Sequence, residues 1–138
     1  MIKLSSVANA WIFGCLLLSG EAMAACTGSS LNQSQLGLAL SGNTVCAIRN
    51  SDRWQELHQA GGALIDYKRG AGDPVDPSET VGNWSIAGNG TNATVVYNYG
   101  SGGTFTFQVY LNSGNSYSFC VGLTDLPVTI KNGGGACP

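Results

Sequence analysis

Charge is scarce in this chain. Of its 138 residues, six are Lys or Arg, eight are Asp or Glu, and one is His. An excess of acid over base excludes a protein that tracks phosphates, because such proteins carry a basic face. A single imidazole argues against a histidine-rich zinc site. The chain lacks the G-x-S-x-G elbow of a serine hydrolase. It also lacks the Asp-x-Asp-x-Asp-Gly spacing of a calcium loop. Long hydrophobic runs are missing too. Val7–Leu18 is the best apolar stretch, and it falls short of the roughly 20 residues a membrane-spanning helix needs. There is no long internal repeat and no linker, so the chain holds one domain at most.

The N-terminus reads as an export signal over residues 1–24. Lys3 precedes the apolar run, and Ser19-Gly20-Glu21-Ala22-Met23-Ala24 supplies a small-x-small cleavage site. Neither Cys15 nor Cys26 has the leucine-led approach of a lipidated cysteine, so soluble export is expected. The destination is the periplasm, the cell surface or the exterior. Cleavage leaves a single domain over 25–138 with no membrane span and four cysteines: Cys26, Cys46, Cys120 and Cys137. In a small exported domain these mean two disulfides, with three connectivities open. The expected pairs are Cys46 with Cys120, both within strands, and Cys26 with Cys137, tying the termini. No free thiolate then remains for catalysis.

Glycine and β-formers dominate what is left. Residues 31–40 carry Leu31, Leu36 and Leu40 near a helical period, with Ser29 or Ser30 as a cap and Gly42 as a stop. A short helix across one end of a sheet is expected there. Thr44–Arg49, Ala63–Lys68, Val81–Ala87, Thr94–Tyr99, Thr104–Leu111, Ser116–Val121 and Val128–Ile130 read as strands. Arg53–His58 fits either a helix or a strand. Turns at Gly88-Asn89-Gly90, Gly100–Gly103 and Asn112–Asn115 join the later strands into an antiparallel meander. The expected fold is mainly β: about six or seven strands in a twisted sheet or small barrel, with one short N-terminal helix. The segment Asn132–Pro138 is too glycine-rich to order itself and needs a tether at Cys137.

Most of the charge, and the histidine, lie between Arg53 and Glu79. Asp73-Pro74-Val75-Asp76-Pro77 initiates turns in an exposed loop and is not expected to hold a metal. No cofactor is implied. The aromatics Trp84, Tyr97, Phe105, Phe107 and Phe119 alternate as core residues do. Arg53, Trp54, His58, Tyr67 and Arg69 remain as a mixed polar and aromatic candidate surface for a ligand. The expected function is non-enzymatic binding or surface attachment, with an unknown ligand, surface or envelope protein as partner. Sheet edges also leave room for self-association. The alternative is a small envelope hydrolase or a lysozyme-inhibitor-like protein.

The combination of Leu40–Cys46 (LSGNTVC), RWQELH, DYKRG, DPVDP, VGNW and YSFC resembles a group of small exported proteobacterial β-rich proteins of unassigned role. The resemblance covers Leu36–Val121. Relatives with the SGNT opening and a later Gly-x-Trp are lipocalin-like or surface-associated, which implies a β-barrel and a binding role. Gly82-Asn83-Trp84 lies mid-chain here, whereas lipocalins carry that element on the first strand.

Overall fold

A computed structural model describes residues 25–49, 51–68 and 78–138. The export signal over residues 1–24, and Arg69 with the DPVDP loop, lie outside the described residues. Eight strands follow one helix: α1 (Gln33–Leu40), β1 (Thr44–Arg49), β2 (Asp52–His58), β3 (Ala63–Asp66), β4 (Glu79–Ala87), β5 (Thr94–Asn98), β6 (Thr104–Ser113), β7 (Ser116–Val121) and β8 (Thr124–Lys131). Each strand pairs antiparallel with the next, and β8 returns to β1, so the meander closes into a barrel. Closure removes the exposed edges of an open sheet. The count exceeds the expected six or seven because Arg53–His58 is a strand, paired with β1 on one side and β3 on the other.

Alternation sets the wall. Val45, Leu64, Trp84, Val95, Tyr97, Val109, Phe119, Val128 and Ile130 point inward and form the core. Val95 and Tyr97 share the inner face, as do Phe107 and Val109, and Phe119 points inward with Cys120 on the opposite side of β7. Phe105 is an exception to its expected core role. It shares the inner face but is 48% exposed, because it stands at the end of the barrel.

Helix α1 closes the opposite end. Its cap is Asn32, not Ser29 or Ser30. The Asn32 side chain accepts from the Gln35 amide, and the Gln35 side chain accepts in turn from the Asn32 amide, a reciprocal box that satisfies two otherwise orphaned donors. Gly42 ends the helix at φ +78°. Leu36 and Leu40 are fully buried, and the helix packs on β4 and β5. Ahead of it, Leu31 donates its amide to the Val109 carbonyl, on the side of β6 that β5 is too short to cover.

Both disulfides differ from the expected pairs. Cys26 bonds Cys120, and Cys46 bonds Cys137. Barrel closure explains the change: β8 lies between β1 and β7, so the outward-facing Cys46 and Cys120 cannot meet. Each strand cysteine instead binds a terminal segment that crosses the outside of the wall. The lead-in is held over β7, and the C-terminal tail over β1 and β2. The tail is ordered by more than its disulfide. Thr44 Oγ1 donates to the Gly133 carbonyl at 2.6 Å, and the Cys137 amide donates to Gln55 Oε1 at 2.8 Å. No helix among the described residues is long and apolar enough to cross a membrane.

Candidate functional site

With α1 across one end, the barrel opens at the other. That mouth is reached by the C-terminal ends of β1, β3, β5 and β7 and the N-terminal ends of their partners. A cavity of about 230 Å³ lies there, lined by Trp54, Glu56, Tyr97, Tyr99, Phe105, Phe107 and Leu126. The alternation of β2 puts Trp54, Glu56 and His58 on the inner face, with Arg53, Gln55 and Leu57 outside.

The rings meet at steep angles. Trp54 stands edge-on to Tyr97 at 5.5 Å between centroids, and Phe107 lies 5.9 Å from Tyr97 at 66°. Tyr99 is nearly parallel to Tyr97 at 6.3 Å, and Phe105 tilts 61° against Tyr99 at 6.0 Å. Edge-to-face packing of this kind fixes ring orientation.

Glu56 is the polar feature of this cavity. It is 6% exposed, and Tyr99 Oη donates to its Oε2 at 2.7 Å. Burial pushes its carboxyl up from the usual range, against hydrogen bonds from Trp54 and Tyr99 that favour the charged form. Asp66 pairs across the strands with Glu56 and Glu79 pairs with Asp66, so three acids are neighbours on adjoining strands, and of these Glu56 lines the cavity. Lys68 makes ion pairs with Asp66 and Glu79. The burial of Tyr99 beside Glu56 drives its hydroxyl well above the usual range, so it stays a donor.

His58 lies deeper, fully buried between Trp84 and Tyr97. Its Nδ1 faces the Glu56 carbonyl at 3.1 Å and its Nε2 faces Tyr97 Oη at 2.8 Å. A carbonyl only accepts, so Nδ1 carries the hydrogen and Nε2 accepts from Tyr97. Burial lowers its pKa to about 4, and the ring is neutral at pH 7. Both nitrogens are used by the core.

The five residues read from the sequence as a candidate surface therefore do not share one face. Trp54 lines the mouth, His58 is core, and Arg69 lies outside the described residues. Arg53 and Tyr67 stand on the outer wall beside the tail. Arg53 Nη2 donates to the Cys137 and Pro138 carbonyls at 3.4 and 3.5 Å. A period-two strand splits sequence neighbours between opposite sides of a wall, so clustering in sequence did not mean clustering in space. Glu56 and Tyr99 were not among those five. Their signal was present: Glu56 shares strand parity with Trp54, and Tyr99 with Tyr97.

A second cavity, about 520 Å³, lies behind Trp54 where the barrel seam splays. Strands β1 and β8 pair only from Thr44–Lys131 to Cys46–Thr129. Ile48, Arg53, Pro127, Val128 and Pro138 line the gap beyond. The Ile130 amide donates to the Asn115 carbonyl on the β7 side, so by alternation the amide position of residue 127 faces the gap. Proline there leaves that edge without a donor. Among the described residues, the cluster of metal-type ligands is Cys26, Cys120 and Asp125, and its two sulfurs are bonded to each other. No protein-family model, curated protein or solved structure matches the chain.

Proposed function

We propose that this is an exported, non-enzymatic binding protein that takes a small group, displayed on a larger molecule or surface, into the open mouth of its barrel. The observation that carries the reading is the asymmetry of the two ends. One is stoppered by the apolar face of α1, with Leu36 and Leu40 fully buried. The other opens on an aromatic cavity with one carboxyl in it. Concave aromatic sites with few, placed polar groups are what small-ligand binding requires. The cavity is smaller than the roughly 300–1,000 Å³ that encloses a drug-sized ligand, which suits a head group rather than a whole molecule.

The rim supports contact with something larger. Phe105, Val121 and Leu123 are 48%, 57% and 84% exposed at this same end. Export rests on the N-terminal signal pattern and on the two disulfides, which persist in oxidising compartments. A hydrolase built on His58 finds little support, since that ring is buried and engaged at both nitrogens.

The test is ligand-detected and protein-detected NMR with a panel of amines, sugars and lipid head groups. Binders should shift the ring signals of Trp54, Tyr99, Phe105 and Phe107, and Trp54→Ala should abolish binding. Shifts confined to the α1 end refute the reading. So does turnover of an envelope substrate that is lost in His58→Gln.

A further inference from the structure

The mouth combines two features that together select a ligand by charge. Its walls are the rings of Trp54, Tyr97, Tyr99, Phe105 and Phe107 with Leu126, and its polar group is the Glu56 carboxyl. Aromatic faces carry negative quadrupole potential and attract a cation placed within about 6 Å of the ring centroid. An anion would meet those faces and an acid. A neutral apolar group would bring no counter-charge to Glu56. Besides Glu56, the strand ends around the opening carry Asp52, Asp66, Glu79 and Asp125 against Arg49, Arg53 and Lys68, and Lys68 is held by Asp66 and Glu79. The potential at the mouth therefore favours a positive guest.

Resting on the mouth as the ligand site, we infer that its ligand is a quaternary ammonium head group, seated on the faces of Trp54, Tyr99 and Phe105 with Glu56 as counter-charge. The choice of a fully alkylated nitrogen follows from the hydrogen bonds available. Glu56 Oε2 already accepts from Tyr99, and Phe105, Phe107 and Leu126 have no acceptor to offer. A primary ammonium carries three N–H donors and would find few partners for them among the rings and Leu126, which is costly wherever it displaces water. A trimethylammonium group has none to satisfy. Its charge is spread over methyl hydrogens that pack on ring faces, and it presents an apolar surface to Leu126. Choline-type heads on lipids, polymers or small solutes share this chemistry.

The experiment compares choline with its neutral isostere 3,3-dimethyl-1-butanol, by calorimetry and by the ring shifts of Trp54 and Phe105. The expected result is that choline binds about tenfold tighter or more, the scale of a desolvated cation–π contact with a counter-charge. Glu56→Gln should erase most of that preference, while Tyr99→Phe, which keeps the ring and frees a carboxylate oxygen, should retain it. Equal binding of the two probes overturns the inference and leaves the mouth standing as a ligand site. A preference unchanged in Glu56→Gln, or lost in Tyr99→Phe, also overturns it. If neither probe shifts the mouth rings, the inference fails; if the wider panel shifts none of them either, the binding site itself fails with it. The wild-type comparison stands even where a variant does not fold. Vesicles with phosphatidylcholine head groups, tested beside free choline, distinguish a membrane source from a soluble one.

Discussion

Replacing His58 with glutamine should remove a defined part of the protein's acid sensitivity. In the folded chain His58 titrates at about 4, lowered by burial; in the unfolded chain it titrates near 6.5. As pH falls below about 6.5 the unfolded state takes up a proton that the folded state refuses, so stability contributed by the neutral ring is lost. That loss is present across the window from about 6.5 down to about 4, and levels off below the folded value. Integrating between about pH 7.5 and pH 4.5 gives a loss of about 2–3 kcal/mol from this one group. Glutamine offers the same pair of interactions, a donor for the Glu56 carbonyl and an acceptor for Tyr97 Oη, without the titration. Glu56 works in the opposite direction over this range, since its carboxyl is raised and the folded state takes up its proton first. Asp66, Lys68 and Tyr99 act on that carboxyl in both proteins, so their contribution cancels in the comparison. The assay is urea unfolding at the two pH values without reductant. The wild type should lose about 2–3 kcal/mol more than His58→Gln on acidification. Parallel losses, within about 0.5 kcal/mol, would refute the buried neutral ring and return His58 to the surface as a candidate site residue.

Other perturbations address the frame around the site. Gly82→Ala would place a Cβ 2.4 Å from the Asn98 carbonyl oxygen, so backbone must move; a cost of about 1–3 kcal/mol is expected in urea unfolding. Pro127→Val restores an amide toward the splayed seam, and should raise the dimer or aggregate fraction in concentration-dependent light scattering. Replacing Cys46 and Cys137 together by Ser should leave no titratable thiol in a chain starting at Ala25, at about 2–4 kcal/mol of stability. Replacing Cys46 and Cys120 instead should leave two, from Cys26 and Cys137.

Much of the barrel was legible because a half-buried strand advertises itself. Thr94–Tyr99 and Thr104–Leu111 alternate, and Gly88, Gly90 and Gly103 take the positive φ that their turns need. Arg53–His58 was ambiguous because four-residue and two-residue spacings both group Trp54 with His58. Its neighbours decided the matter, since two adjacent strands offered ladders. The candidate surface misled for a related reason. Arg53 and Trp54 are adjacent in sequence, yet one binds the tail outside and the other faces the cavity within.

By itself the sequence determined the strand periodicity, the turns and the apolar face of α1, because each depends on residues near one another along the chain; the even cysteine count of an exported domain implied two disulfides. Only the tertiary structure decided the cysteine partners, the open end and the meeting of Glu56 with Tyr99, which lie 43 residues apart. Those depend on closure. Bringing β8 against β1 separates Cys46 from Cys120 and leaves α1 to cover one end alone, so the histidine becomes core and the carboxyl two residues before it becomes the polar group of the mouth.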